Sequence, residues 1–560
     1  MDLPLASDLS YSARFLELLK LRGLSRPEEI ESFLKAELDA LLDPFEMRGM
    51  REACDRIRRA AEADEKIFIH GDYDVDGVTG AAIVARTLEL LGLRPRVFLP
   101  HRAEDGYGVS LRAIQNAAKE GFKILITVDC GITAREQITF ARENGMDVIV
   151  IDHHKIPAEG VPPAHMILNP LQSDCGYSFK ELSAAGLAFK LSQALLGERA
   201  FAFLDLAAVS TVCDVAPLRL ENRVIVKNGL KLLSSRTHLG FKALAEAAKM
   251  GRKEVDAGHI GFVFGPRINA AGRMSSPEIS LRLLLTESEK EARSLAAALE
   301  EENKCRQREE RQTVREAVSD VERTVNFSRD RVIVAAKRGW HQGVIGIVAA
   351  RLVDKYHRPA VVIAMEENGI GKGSGRSIKQ FNLYQALAEC KELFEEFGGH
   401  PQAAGLSIKN ENVDAFRKKI NDYARESTAA EIFIRQIEAD MELVFGDLTP
   451  AFLRELELLE PYGMGNPRPV FMTRGAEVKT APMGLTPSRF QFYATHGSTV
   501  FEVQATEIEE SPSSSLLRRL QKGKKIEMAY TVKRKLWDGV ERVILEAKEI
   551  RLLDEGEGNA

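Results

Sequence analysis

Apolar and polar positions follow different rhythms along this chain. Between residues 66 and 151, short apolar runs at 66–70 (KIFIH), 96–99, 123–128 (KILITV) and 147–151 (DVIVI) are separated by helical stretches at 80–91, 111–119 and 134–143. Such continuous runs do not suit a sheet with one wet face; they suit strands buried on both faces under helices. The reading is an α/β domain built on a parallel sheet. Residues 1–50 precede it as a helical lead-in broken at Asp43-Pro44, and 183–285 extend it with helices and almost no strand signal,. A polar run at 287–321, rich in Glu, Arg, Gln and Ala, predicts one long solvated connecting helix,. A second, smaller α/β unit follows, with strands at 331–335, 360–364 and 369–375, punctuation at Gly398-Gly399-His400-Pro401 and a closing helix at 413–424. After Pro461 the period becomes two. Segments 490–494 and 499–504 alternate, while 527–533 and 540–546 flank Trp537-Asp538-Gly539 as a hairpin, which together fit a small β-barrel,. The expected division is 1–50 lead-in, 51–285 first α/β domain, 286–328 connecting helix, 329–428 second α/β domain, 440–553 barrel and 554–560 tail.

Composition narrows the class. At roughly 150 residues per domain, 560 residues imply about three or four domains,. Hydrophobic residues at 44% and charged residues at 28% describe a globular chain, not a disordered one,. The net charge of −5 argues against an all-over basic coat but leaves room for a local basic groove,. No apolar run reaches the length of a membrane span, roughly 18 residues, and residues 1–10 lack a signal peptide's features, so a cytoplasmic protein is expected. The six cysteines form no C-x-x-C pair, which excludes a zinc site or disulfide framework as the organising element,.

Chemistry concentrates at the ends of the apolar runs. His70-Gly71-Asp72-Tyr73-Asp74-Val75-Asp76-Gly77 follows the first of them. Its three aspartates raise one another's cost of ionisation, and a divalent cation relieves that cost. Oxygen and imidazole donors at short spacing suit Mn2+ or Mg2+. Asp129 ends the run KILITV, and Asp152-His153-His154 ends DVIVI. Ligands gather beyond the carboxyl ends of parallel strands, so the three motifs converge in space. Asp214 interrupts a further apolar stretch and is a fourth candidate, with Asp205 its rival. Four acids and two histidines suffice for two metal ions sharing one carboxylate, a site that clamps a phosphate without a side-chain nucleophile. The chain has no G-x-S-x-G elbow and no Walker loop; Gly371-Lys372-Gly373-Ser374-Gly375-Arg376 lacks the spacing,.

These residues, Asp74, Asp76, Asp129, Asp152-His153-His154 and Asp214, resemble motifs I to IV of the DHH phosphoesterase superfamily. Within it the chain is similar to the RecJ family of single-stranded-DNA-specific 5′→3′ exonucleases, over roughly 51–551. Gly106-Tyr107-Gly108, the segments 184–190 and 264–273, and Gly398-Gly399-His400-Pro401-Gln402-Ala403-Ala404-Gly405 carry the likeness further, the last resembling the glycine motif of a DHHA1 domain. One departure is Ser183-Ala184-Ala185-Gly186, where the family pattern has Gly-Ala-Gly. The resemblance implies a DHH domain, a DHHA1 domain and an OB-type barrel. It implies His70, Asp74 and Asp129 on one ion and Asp76, Asp129, His153 and Asp214 on the other, with Asp129 bridging. His154 would contact the scissile phosphate and Asp152 would orient the cluster, with Mn2+ or Mg2+ as the metal. Direction, products and a role in DNA repair and recombination come from the resemblance alone.

A terminal 5′-phosphate wants arginine forks and backbone amides. The candidates are Arg102, Arg267, Asn269, Arg273, Ser374 and Arg376, with His341 and His400 lining the second domain. In the barrel, nine Lys or Arg against three acids between 518 and 542 offer a track through Lys524, Lys525, Lys533, Arg534, Lys535 and Trp537,. The expected partner is single-stranded DNA with a 5′ end, and a single-strand-binding protein and a helicase are candidates; the chain reads as a monomer with no membrane attachment. Two rivals stand beside this reading: a DHH phosphodiesterase acting on short oligonucleotides or cyclic dinucleotides, and a non-catalytic nucleic-acid scaffold. The barrel argues against the first and the complete ligand set against the second.

Overall fold

The computed structural model describes residues 11–101, 108–251, 254–486, 489–506, 519–537 and 540–553, with side chains at all of them except 536, 537, 540 and 541. Strands β1 (Ile67–Gly71), β2 (Arg96–Phe98), β3 (Ile124–Val128), β4 (Asp147–Ile151) and β5 (Met166–Leu168) form an all-parallel sheet in the order β2-β1-β3-β4-β5. Alternate residues serve two cores. Ile67, Ile69, Ile124, Ile126, Ile149 and Ile151 face α3 (Met50–Glu62), α4 (Val75–Leu90), α7 (Ala184–Leu196) and α8 (Leu204–Cys213), while Phe68, Leu125, Val148 and Val150 face α5 (Leu111–Lys119) and α6 (Arg135–Glu143). Two-sided burial explains the unbroken apolar runs. β1, β3 and β4 are adjacent, so their carboxyl ends lie side by side. α4 begins five residues before the expected Gly80, because Asp74 caps it,.

Helices α9 (Leu220–Ser235), α10 (Leu239–Ala247), α11 (Ala257–His259), α12 (Gly265–Met274) and α13 (Glu278–Leu285) complete this domain. The connecting helix is α14 (Glu289–Thr324), 36 residues long, which at 1.5 Å per residue makes a rod of about 54 Å. It is not simply solvated: Leu295 and Leu299 enter the first domain's core and Ala317 and Val321 the second's, with Asn303, Arg306 and Thr313 buried between.

The second sheet, β6 (Ile333–Arg338), β7 (Ala360–Met365), β8 (Ile370–Arg376), β9 (Phe394–His400) and β10 (Ala403–Lys409), runs β6-β7-β8-β10-β9 and is parallel only at β6–β7. It packs against α15 (Gln342–Tyr356) on one face and α16 (Leu383–Ala388) and α17 (Val413–Ser427) on the other. Gly398–His400 does not interrupt the unit, as the sequence led us to expect, but forms the end of edge strand β9. Gly399 has φ +137° there, and a Cβ on it would lie 2.4 Å from the Ala403 carbonyl oxygen.

The third unit is a barrel. Strands β11 (Met441–Glu442), β12 (Phe471–Val478), β13 (Met483–Thr486), β14 (Arg489–His496), β15 (Thr499–Thr506), β16 (Lys525–Trp537) and β17 (Val540–Leu552), with α18 (Pro450–Leu458) between β11 and β12, order as β11-β12-β16-β17-β15-β14-β13, and a β12–β14 pairing closes the sheet. The first helices are not a free lead-in. Phe15, Leu18 and Leu19 of α1 (Ala13–Leu21) and Ile30 and Leu34 of α2 (Pro27–Lys35) join Phe471, Phe490 and Tyr530 in the barrel's core. Buried Arg223 of α9 ties the units together, donating to the carbonyls of Phe33, Leu458, Leu459, Glu460 and Pro461 under the Phe33 ring. Among the described residues, no helix is long and apolar enough to cross a membrane.

Candidate active site

The β1–α4 loop folds back on itself. A Cβ on Gly77 would lie 2.5 Å from the Asp72 amide nitrogen, so only glycine permits the turn,. Asp74 caps α4 through one oxygen, accepting the Asp76 and Gly77 amides at 2.9 and 3.2 Å. Asp76, one turn in, is clamped through both oxygens. It accepts the Ala184 amide at 2.8 Å, the Ala185 amide at 2.7 Å and the Ser210 hydroxyl at 2.6 Å. Those amides open α7, whose positive end suits a carboxylate. The departure at Ser183-Ala184-Ala185-Gly186 leaves this clamp intact, since the donors are backbone.

Asp129 continues the ladder, its amide donating to the Ile151 carbonyl at 2.9 Å, then turns the chain at φ +61°. Left-handed backbone at a non-glycine residue costs free energy, which surrounding structure must offset. Its carboxylate is 3% exposed, and Oδ1 makes no hydrogen bond although His153 Nε2 lies 3.3 Å away. Asp72 Oδ1 is likewise buried without a partner. Burial first, then the charges of Asp76, Asp74, Asp72 and Asp152, push the Asp129 carboxyl well above the usual carboxylate range. Burial and Asp74 raise Asp72, and burial with Asp76 and Asp74 raises Asp214.

Asp152 and His154 behave oppositely. Asp152 accepts the Ile132 amide at 2.9 Å, the His154 amide at 3.0 Å and His154 Nδ1 at 2.7 Å. Burial opposes its ionisation, but the bond from His154 prevails and holds the carboxyl low. The same bond raises the His154 imidazole to about 9. His153 points Nε2 toward Asp129 and Asp76, the latter at 3.6 Å, and Nδ1 toward Asp214 at 3.7 Å.

Among the described residues, potential ligand atoms fall within 4.8 Å of one another in three groups: Asp72, Asp74 and Asp129; Asp76, His153 and Asp214; and Asp129, His153 and His154. Crowded carboxylates, two of them with buried oxygens lacking any donor, and imidazole beside them are the donor set of a hard divalent cation. The residues present therefore fit such ions. One grouping differs from the sequence reading. His70 is buried beneath the cluster, its Nε2 accepting the Ser110 amide at 3.0 Å and its ring against Phe98, so Asp72 joins Asp74 and Asp129 where His70 was expected. Asp205 sits at the other end of α8 from Asp214, about 13 Å away along the axis,, buried with its carboxylate accepting the Leu206 amide.

The expected substrate residues divide. Arg102 lies outside the described residues. Arg267 is taken up by Glu300 of α14 at 2.7 Å and by the Val263 carbonyl, an ion pair rather than an open guanidinium. Asn269 accepts the Val75 amide at 3.1 Å and so braces α12 against the α4 turn. Arg273, His341, Ser374 and Arg376 gather around the start of α15. Arg273 donates to the Gly343 carbonyl at 3.1 Å, His341 caps the helix, and a Cβ on Gly346 would lie 3.0 Å from Ser374 Oγ and 3.2 Å from Arg376 Nη2. His400, exposed on β9, shares a cross-strand row with Ala403 and Arg376. Paired residues point to one face, placing His400 and Arg376 about 10 Å apart on it. The barrel's cations do not form one patch. Lys524 and Lys525 open β16, and Lys533–Lys535 lie about 26 Å along it,. Lys533 pairs with Glu546 at 2.7 Å and Arg534 with Glu457 at 2.7 Å. The Trp537 side chain is outside the described residues.

Comparison with known proteins places this geometry. The family model for the DHH family, N-terminal domain, matches residues 66–211, the DHHA1 domain matches 329–426 and the RecJ OB domain matches 439–549. The single-stranded-DNA-specific exonuclease RecJ of Bacillus subtilis is 41% identical over 473 residues, 84% of this chain; the chain spans only 60% of that protein's length. The Dickeya dadantii protein of the same name is 35% identical over 82% of this chain and 83% of its own. The crystal structure of RecJ from Thermus thermophilus in complex with Mn2+ superposes with a TM-score of 0.81 at 30% identity, covering 97% of this chain and 76% of that one.

Proposed function

The chain belongs to the RecJ family of DHH phosphoesterases, and from that premise we propose that it hydrolyses single-stranded DNA from the 5′ end to mononucleotides using two divalent ions, Mn2+ or Mg2+. The observation that carries the reading is the buried, donorless Oδ1 of Asp129, held between Asp72, Asp74 and His153 at the ends of three parallel strands. Asp72, Asp74 and Asp129 would hold one ion, and Asp76, Asp129, His153 and Asp214 the other. His70 would join the first ion only by releasing the Ser110 amide. Bound there, the ions supply Lewis acidity to the phosphate and to the attacking water. His154, kept protonated by Asp152, donates to an oxygen of the scissile phosphate, and Asp152 fixes the orientation of its ring,. Arg273, His341, Ser374 and Arg376 around α15, with His400, form the recess for a terminal phosphate, and Arg102 stays a candidate on the sequence resemblance alone. The enzyme would serve DNA repair and recombination in the cytoplasm, with a single-strand-binding protein and a helicase as candidate partners.

The test is digestion of single strands labelled at either end, with Mn2+, Mg2+ or EDTA. Mononucleotides should leave the 5′ label first and only with metal. Release from the 3′ label first would overturn the direction, and full activity of Asp129→Ala would overturn the metal mechanism. Faster turnover of dinucleotides than of long strands would favour the small-substrate rival.

A further inference from the structure

A cavity of about 580 Å³ adjoins Asp214 and lies between the first domain, α14 and α15. Val212, Cys213 and Val215, which flank Asp214, form one wall. Arg306 and Arg311 of α14 and Arg351 of α15 form the other, so that with Arg273 four arginines face the space against a single acid, Glu310. Arg306 and Arg351 share Glu310, whereas Arg311 contacts only Gln307 at 3.3 Å. The surplus is positive.

Phe262 also lines this cavity, and at 82% exposure it is the most exposed large apolar side chain among the described residues. It sits in a π-helical turn, Ile260–Phe264, between α11 and α12. Such turns commonly mark functional positions. The turn is pinned on its other side. A Cβ on Gly265 would lie 2.4 Å from Cys213 Sγ, so the backbone carrying Phe262 is packed directly on the residue before Asp214. Val215, also exposed, holds φ +59°, a conformation a β-branched residue rarely adopts,. Two apolar groups are thus held in water by rigid backbone beside the candidate catalytic carboxylate, opposite arginines.

An aromatic platform facing a positive wall is what a single nucleic-acid strand needs, since every base has a face to stack and every link a phosphate to neutralise. A duplex keeps its bases stacked on one another and cannot offer one. We propose that Phe262 is a base-stacking residue that positions the strand across the active site, with Val215 beside it and Arg311 on the phosphate side. This rests on the exonuclease reading above and extends it to a positioning residue that selects unpaired DNA.

The test compares the intact chain with Phe262→Ala and Phe262→Trp on oligonucleotides carrying one abasic nucleotide at successive positions from the 5′ end. KM is read with Mn2+, and Kd is read by anisotropy in EDTA. Phe262→Ala should raise KM and Kd roughly tenfold with kcat held within about twofold, and Phe262→Trp should restore both. In the unaltered protein one abasic position should incur a similar loss, and in Phe262→Ala that position should become indifferent. Unchanged KM in Phe262→Ala, no rescue by Trp, or an abasic penalty that persists in Phe262→Ala would each overturn the proposal. If the unaltered protein neither binds nor degrades single strands, the functional reading fails instead.

Discussion

Asp76 and Asp214 are both candidate ligands of the same ion, yet replacing each by asparagine should have opposite effects on stability. Asp76 receives three donors: Oδ1 takes the Ala185 amide and the Ser210 hydroxyl, and Oδ2 takes the Ala184 amide. An asparagine in either orientation must turn its NH2 toward one of the two backbone amides. One buried N–H then loses its acceptor, at about 1–3 kcal/mol, and the positive end of α7 loses its carboxylate, at about 0.5–2 kcal/mol. Relief of repulsion with Asp74 and Asp129 offsets part of this, leaving Asp76→Asn about 1–3 kcal/mol less stable than the parent protein in EDTA. Asp214 caps nothing by its side chain; His153 Nδ1 lies 3.7 Å from its Oδ2. Asp214→Asn removes repulsion from Asp76 and Asp74 that outweighs the attraction of His154, and should be neutral or stabilising in EDTA. Both variants should lose about two orders of magnitude or more in Mn2+-dependent turnover. Urea unfolding in EDTA, with nuclease assays alongside, checks this. Asp76→Asn as stable as Asp214→Asn would refute the clamp.

Acid should stabilise the metal-free protein. Asp72 and Asp214 have carboxyls raised to about 7 and about 8 in the fold, against about 3.9 unfolded, so the native state binds the extra protons and stability falls as pH rises from about 4 to about 8. Mn2+ should flatten that slope, and EDTA melts that rise with pH over this window would sink the account. Arg223→Met takes the side-chain donor from the carbonyls of Phe33, Leu458 and Glu460, while Asn466 still serves those of Leu459 and Pro461, and should cost about 3–5 kcal/mol. Urea unfolding should become biphasic as the barrel with α1 and α2 detaches from the catalytic domain; a single transition with an unchanged midpoint would show Arg223 dispensable.

The catalytic cluster was legible because parallel-sheet topology turns a local pattern into a long-range one. Once 66–70, 123–128 and 147–151 read as doubly buried strands, Asp74, Asp129 and His153 had to meet. What the pattern could not carry was anything contributed by backbone. The clamp on Asp76 comes from the amides of Ala184 and Ala185, whose side chains advertise nothing. Asp72 was visible in the motif, but nothing in the pattern says that it groups with Asp74 and Asp129, or that His70 Nε2 takes the Ser110 amide. That Arg267 pairs with Glu300 was not legible either, because a guanidinium donates to a phosphate or to a carboxylate equally well,. β5 is three residues long, too short to alternate, and the apolar stripe on α1 says that it packs, not that a barrel more than 400 residues later receives it.

That last contact has a consequence for how the chain is made. Ser12 and Glu455 hydrogen-bond across 443 residues, and α1 and α2 fill a core whose remaining walls lie more than 400 residues later in the chain. On a ribosome the two catalytic-side domains can fold in turn as they emerge, while the opening helices wait with their apolar faces exposed until β17 is released. The barrel therefore closes after the two α/β domains and by a long-range step, which makes it slow relative to them. A chain interrupted before residue 540 would carry the finished carboxylate and histidine cluster beside a barrel still lacking β17.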